Sequence, residues 1–250
     1  MESQKYRSQL STNPPLTLYP GIAAVGTNLS LSGLWNPSGL VGYWNFEEGT
    51  GSSTIDQSGN GNTGSWAGTP AGNNATYYTG GKVGSYAGYF DGGSDYVNIP
   101  QTSTLNPTAA ITVTAWINIQ QLPSAYGPVI MGGGTLGSSY FLGFYSGGTP
   151  FAARIGSSFI SVSPSSLSLN TWLFIAMDFQ ANGPFMLVKN GIVIASTTSS
   201  FGNIPYGTDP TTIGRLDYAS YYFPGLIDDV RIYNRALSAA EIQALYNAQK

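Results

Sequence analysis

From residue 40 onward the chain is a succession of short apolar runs separated by Gly, Asn, Ser and Pro clusters, the pattern of many short β-strands. "LVGYWNFE", "GYFDG", "DYVNIP", "ITVTAWINI", "SYFLGFYS", "WLFIAMDF", "PFMLVKNGIVIAST" and "LIDDVRIYN" are the main runs. The alternation is clearest in "ITVTAWINI". Ile111, Val113, Ala115, Ile117 and Ile119 share one face, and Thr112, Thr114, Trp116 and Asn118 the other. In "LVKNGIVIAS" the Asn190-Gly191 pair sits between two runs and predicts a hairpin, because both turn positions need φ > 0. One helix is predicted. Ser238 followed by Glu241 has capping-box spacing, and Ile242, Leu245 and Tyr246 form an apolar face behind it.

Residues 1–38 differ from the rest. "NPPLTLYPG" and "GTNLSLSGLWNPSG" show no sustained period, and Pro14 and Pro15 favour an extended chain. The expected organisation is an N-terminal arm or linker (1–38) that docks on a partner or neighbouring subunit, then one all-β domain (39–250), a two-sheet antiparallel sandwich with a short C-terminal helix. No internal repeat is visible.

Composition narrows the chemistry. Only 8% of residues are charged and the net charge is −3, with nine basic residues scattered along the chain. Nucleic-acid binding, which needs a concentrated basic footprint, is excluded. The absence of cysteine excludes disulfides and thiol catalysis, and the absence of histidine removes the commonest general base and transition-metal ligand. No apolar run is long enough for membrane insertion, and no signal peptide is visible.

"LVGYWNFEEGTGSSTIDQSGNGNTG", "GKVGSYAGYFDGGSDYVNI", "ITVTAWINI", "LVKNGIVIAS" and "FPGLIDDVRIYNRALSAAEIQALYN" resemble, in order, the blocks of laminin-G-like jelly-roll domains of the concanavalin A-like lectin/glucanase superfamily. The resemblance covers residues 40 to 247. It departs at Phe174, where the family usually has a histidine two positions after the tryptophan. It implies two antiparallel sheets, one of them curved with a concave face that binds glycans in some members. It does not fix function, since the superfamily holds lectins, glycosidases, adhesion modules and structural domains.

Three functional expectations follow. Glycoside hydrolysis needs two facing carboxylates, and the glucanase branch's Glu-x-Asp-x-x-Glu strand is missing, so no catalytic residue is expected. Calcium needs several oxygens. Alternation puts Glu48 with Trp44 and Phe46, and Asp228 with Leu226, Val230 and Ile232, so both are expected on core faces, with Asp229 facing out. If first and last strands pair, a structural Ca²⁺ held by Glu48, Asp228 and the loop residues Asp56 and Asn60 is one expectation; backbone amides bonding the same carboxylates is the other. Sugars are bound by aromatic faces with neutral polar groups, and Trp116, Trp66, Tyr218, Tyr221 and Tyr222 are the candidate binding rings. The leading expectation is a non-catalytic, extracellular module on a virion or cell surface. Residues 1–38 anchor it there, and it binds a glycan or another surface polymer. A secreted carbohydrate-binding module is the main alternative, and a glycoside hydrolase is the distant one.

Overall fold

A computed structural model describes residues 38–70, 76–123, 125–145, 151–163, 168–216 and 220–250. The expected arm therefore lies, but for Ser38, outside the described residues. The described residues form two antiparallel eight-stranded sheets. In the first, the order is β14 (Ile192–Thr198), β13 (Pro184–Lys189), β12 (Trp172–Gln180), β7 (Ala110–Ile119), β16 (Pro224–Tyr233), β5 (Tyr86–Asp91) and β4 (Tyr78–Gly80), with β1 (Leu40–Trp44) also on β16. In the second, it is β11 (Ser158–Val162), β10 (Phe151–Ile155), β9 (Tyr140–Phe144), β8 (Gly127–Met131), β15 (Thr211–Ile213), β6 (Tyr96–Ile99), β3 (Gly64–Ala67) and β2 (Ser53–Thr54). The sheets pack face to face. Val113, Ile117 and Phe179 of the first and Tyr140, Phe144 and Ile213 of the second are fully buried in one core. The predicted hairpin is present, with Asn190 and Gly191 at φ of 50° and 77° joining β13 to β14.

β16 sits in the middle of its sheet and organises it. One edge pairs with β7 along most of its length. The other edge changes partner: Pro224–Ile227 pair with β5, and Val230–Tyr233 pair with β1. Asp228 and Asp229 fall at the change. There a bulge interrupts the β7 register and Asp229 takes a positive φ of 54°, a conformation aspartate tolerates better than most residues. The bulge resets the alternation. Ile227, Val230 and Ile232 face the core between the sheets, whereas Asp228 lies opposite Trp116 on the other face. This corrects the expected grouping of Asp228 with Val230 and Ile232. Asp229 is corrected too, because it is 1% exposed and does not face out.

That outer face is not open to water. Helix α1 (Ala239–Gln249) covers part of it, entered through the expected capping box of Ser238 and Glu241. Arg235 pairs with Glu241 at 2.6 Å. Ile242 and Leu245 pack with Trp116, Phe174, Val188 and Tyr233 in a second apolar cluster. Phe174 therefore fills space between strand and helix, in keeping with a packing role at that position.

Candidate functional site

The second sheet presents a different outer face. Register places Phe159 of β11 opposite Arg154 of β10, then Phe141 of β9, Met131 of β8 and Thr212 of β15 in one cross-strand row. Met131 and Phe141 are buried together with Leu216 beneath a layer of rings contributed by loops. Tyr126 lies 5.1 Å from Tyr145 and 5.1 Å from Tyr221, and Tyr145 lies 4.7 Å from Phe159. Phe159 and Tyr221 are 42% and 37% exposed. This chain of mutually tilted rings is an aromatic surface exposed at its two ends, Phe159 and Tyr221.

Two arginines border it. Arg154 donates from Nη1 to the Tyr145 hydroxyl at 2.9 Å and from Nε to the Gly156 carbonyl at 2.8 Å. The Arg215 guanidinium lies 4.5 Å from the centre of the Tyr96 ring, with Tyr222 6.0 Å away. A cleft runs beside the rings, lined by Gln121, Leu122, Tyr126, Tyr221, Tyr222 and Asp91. Aromatic faces, amide and hydroxyl groups, and a fixed cation form the set that stacks on and hydrogen-bonds a sugar.

The aromatic candidates divide. Tyr221 and Tyr222 lie in this surface, and Tyr218 lies outside the described residues. Trp116 and Trp66 do not belong to it, and their expected exposure is corrected. Trp116 is 2% exposed, because α1 covers its face of β7 and Gln249 accepts from its indole. Trp66 is on β3 and stacks on Tyr77 at 4.7 Å within the core. Tyr126, Tyr145, Phe159 and Arg154 were missed. Their signal was slight: two tyrosines in the glycine-containing segments "AYGP" and "FYSGG", and one of the few arginines on a strand.

The carboxylates of the calcium expectation each serve a separate piece of backbone. Asp56 accepts from the amides of Tyr43, Ser58 and Asn62, all at 2.9 Å, and so closes its own glycine-rich loop onto β1. Asn60 donates to Ser58 and Leu40. Glu48 accepts from Ile55 at 2.7 Å. Its strand ends at Trp44, and Phe46 turns to a positive φ of 57°, so the alternation stops before it. Asp228 Oδ2 accepts from the amides of Lys82 and Val83, both at 2.9 Å. The first and last strands do pair, as expected. Among the described residues, however, no three Asp, Glu, His or Cys side chains converge as a metal site would need. Among the described residues, the buried oxygens Glu48 Oε2 and Asp228 Oδ1 have no hydrogen-bond partner.

The electrostatics at the bulge follow from burial. Burial pushes Asp228 up to about 7, against the pull of the Val83 and Lys82 amides, while Asp229 and Glu47 add repulsion. Asp229 is held by Arg231 at 3.1 Å, by the Tyr43 hydroxyl at 2.6 Å and by Gln249. Among the described residues, Asp91 is the one carboxylate that lines the cleft. Burial raises its pKa, but the amides of Ser94, Asp95 and Gly93 outweigh it and hold the carboxyl below its ordinary value. It accepts those three amides through Oδ1, which fixes it in its own turn.

The laminin-G family model of the concanavalin A-like lectin/glucanases superfamily matches residues 91–243. That is more than half of the chain, and the chain belongs to this family. No match was found among curated proteins. Among solved structures, the chain is similar to domain 4 of AbnA, a GH43 extracellular arabinanase from Geobacillus stearothermophilus, in complex with arabinotriose. The two are 23% identical with a TM-score of 0.64, over 83% of this chain and 98% of that one. It is also similar to the binding domain of Paraclostridial Mosquitocidal Protein 1, at 16% identity and a TM-score of 0.62, over 84% of this chain and 52% of that one. A third likeness is to botulinum neurotoxin type C, whose cell entry depends on interaction with two ganglioside molecules. There the identity is 15% and the TM-score 0.60, over 85% of this chain and 51% of that one. The chain thus spans about half the length of the two toxin chains. At these identities the likenesses establish the shared sandwich.

Proposed function

We propose that this chain is a non-catalytic carbohydrate-binding module that holds a glycan against the aromatic surface of its second sheet. The observation that carries the reading is the open ring chain Tyr221–Tyr126–Tyr145–Phe159. It stands outside the main core, with a polar cleft along one side. Stacking on successive sugar faces is what such a ring chain does best. The neighbours that bind arabinotriose or depend on gangliosides lend support from the same fold. A binding role without catalysis is favoured because Asp91, the carboxylate that lines the cleft among the described residues, is spent on its own turn. A pair of carboxylates facing each other across a sugar is what hydrolysis would require. In this reading the module works outside the cell, and residues 1–38 attach it to a larger assembly on a virion or cell surface.

A glycan array probed with purified protein, followed by calorimetry on the hits, tests the reading. Binding that is lost in Tyr126→Ala and Tyr221→Ala, with unchanged melting temperature, supports it. An array without hits, or release of reducing sugar from any bound polysaccharide, overturns it.

A further inference from the structure

We infer that the ring surface is built for an acidic sugar, with Arg154 as the residue that takes its carboxylate. This rests on the carbohydrate-binding reading and names the class of glycan. Arg231 and Arg235 each have an acidic partner within 3.1 Å. Arg154 has none among the described residues; its two bonds go to neutral oxygens, the Tyr145 hydroxyl and the Gly156 carbonyl. A cation held by neutral acceptors on a protein of net charge −3 retains its attraction for an anion.

The geometry fits that use. The side chain stands on the outer face of β10 between Phe159 and Phe141, half-buried, at the centre of the cross-strand row. Its Nε and Nη1 bonds fix the guanidinium plane, so little conformational freedom remains to be lost on binding. Among the described residues, Nη2 is left with both its hydrogens. Gly137, at φ of +118°, lies beside it, and a Cβ there would come to 3.3 Å of Nη2. Glycine keeps that side of the fork uncrowded. Tyr145 joins the two functions, since its hydroxyl holds Arg154 and its ring lies 4.7 Å from Phe159. A sugar ring laid on Phe159 and Tyr145 brings a ring carboxylate to the guanidinium, where a charge-assisted hydrogen bond forms.

Calorimetry with matched probe pairs tests this: oligogalacturonate against its methyl ester, and sialyllactose against lactose. The acidic member of at least one pair binds roughly tenfold tighter or more, and the preference weakens as salt is raised. Arg154→Gln abolishes the preference, so that the acidic and neutral members of each pair bind that variant with affinities within about twofold of each other. Arg154→Lys retains part of it, and Tyr145→Phe, which keeps the ring, reduces it. Melting temperatures show which variants are folded. Equal affinity for acidic and neutral probes, or a preference unchanged in folded Arg154→Gln, overturns the inference and leaves the carbohydrate-binding reading standing. Failure of every probe, acidic and neutral, overturns both.

Discussion

Trp116 donates from its indole nitrogen to the side-chain oxygen of Gln249 at 2.9 Å. The bond joins a central strand to the last turn of the C-terminal helix. Gln249 also donates to Asp229, so the same amide reaches the bulge in β16. The helix is thereby a lid over one face of the first sheet, and Trp116, Phe174 and Tyr233 depend on it for burial.

Leu245→Ala is therefore expected to cost about 2–5 kcal/mol, the range for emptying a packed leucine site. Urea unfolding followed by tryptophan fluorescence measures it. Removal of residues 239–250 should also shift the emission of Trp116 to the red, and the shift should vanish in a Trp116→Phe background. Unchanged emission would mean that the helix does not shield that ring.

Asp228 gives stability a pH dependence with a definite sign. Its folded pKa is raised to about 7, chiefly by burial. Asp178 is raised to about 6, again chiefly by burial. Folded carboxyls then keep protons that unfolded ones have released, so their contribution falls as pH rises from about 4 to about 7. Glu241 acts oppositely at lower pH. The Arg235 guanidinium holds it down to about 2, and its contribution is lost as pH falls from about 4 toward 2. Asp228→Asn should flatten the slope between pH 4 and 7 in urea titrations. Asp228→Ala leaves the Lys82 and Val83 amides unpaired and should cost about 1–3 kcal/mol, with bound glycan affinity unchanged. An unaltered slope in Asp228→Asn would remove Asp228 as its source.

The aromatic residues should separate into two groups by experiment. Tyr221→Ala and Tyr126→Ala are expected to lower glycan affinity roughly threefold to tenfold with little loss of stability. Trp66→Ala and Trp116→Ala should instead cost about 3–5 kcal/mol of stability. Parallel thermal melts and calorimetry make the comparison. Trp66→Ala losing glycan affinity at unchanged melting temperature would place the site elsewhere.

Calcium is checked by melting in excess Ca²⁺ and in chelator. Asp56, Glu48 and Asp228 accept backbone amides at separate loops, so the two melting temperatures should agree. A clear rise with Ca²⁺ would turn attention to Glu48 Oε2 and Asp228 Oδ1, the oxygens left without partners.

The alternation in "ITVTAWINI" identified the core face of β7 correctly, since Ile111, Val113, Ala115, Ile117 and Ile119 are all fully buried. It could not say what the other face meets. A period of two separates faces without ranking them, and here the second face is covered by a helix that arrives more than a hundred residues later. The same limit misled the reading of "LIDDVRI", where one bulge residue puts Asp228 on the opposite face from Val230 and Ile232 although strict alternation groups them. The capping box and the Asn-Gly hairpin were legible because each is a local matter of a few residues. The ring surface was not, because Tyr126, Tyr145, Phe159 and Tyr221 come from four separate segments that only the fold brings together.

The divided edge of β16 has a kinetic consequence. The strand comes late in the domain, yet it belongs between β7 and the β5 and β1 segments, and Leu40 must find Tyr233 across almost the whole domain. Contacts so distant along the chain close slowly. A nascent chain that stops short of residue 224 holds β7 on one side and β1 and β5 on the other, with open edges and nothing to join them. Folding of the first sheet is thus committed only when the strand carrying Asp228 and Asp229 enters the gap left for it.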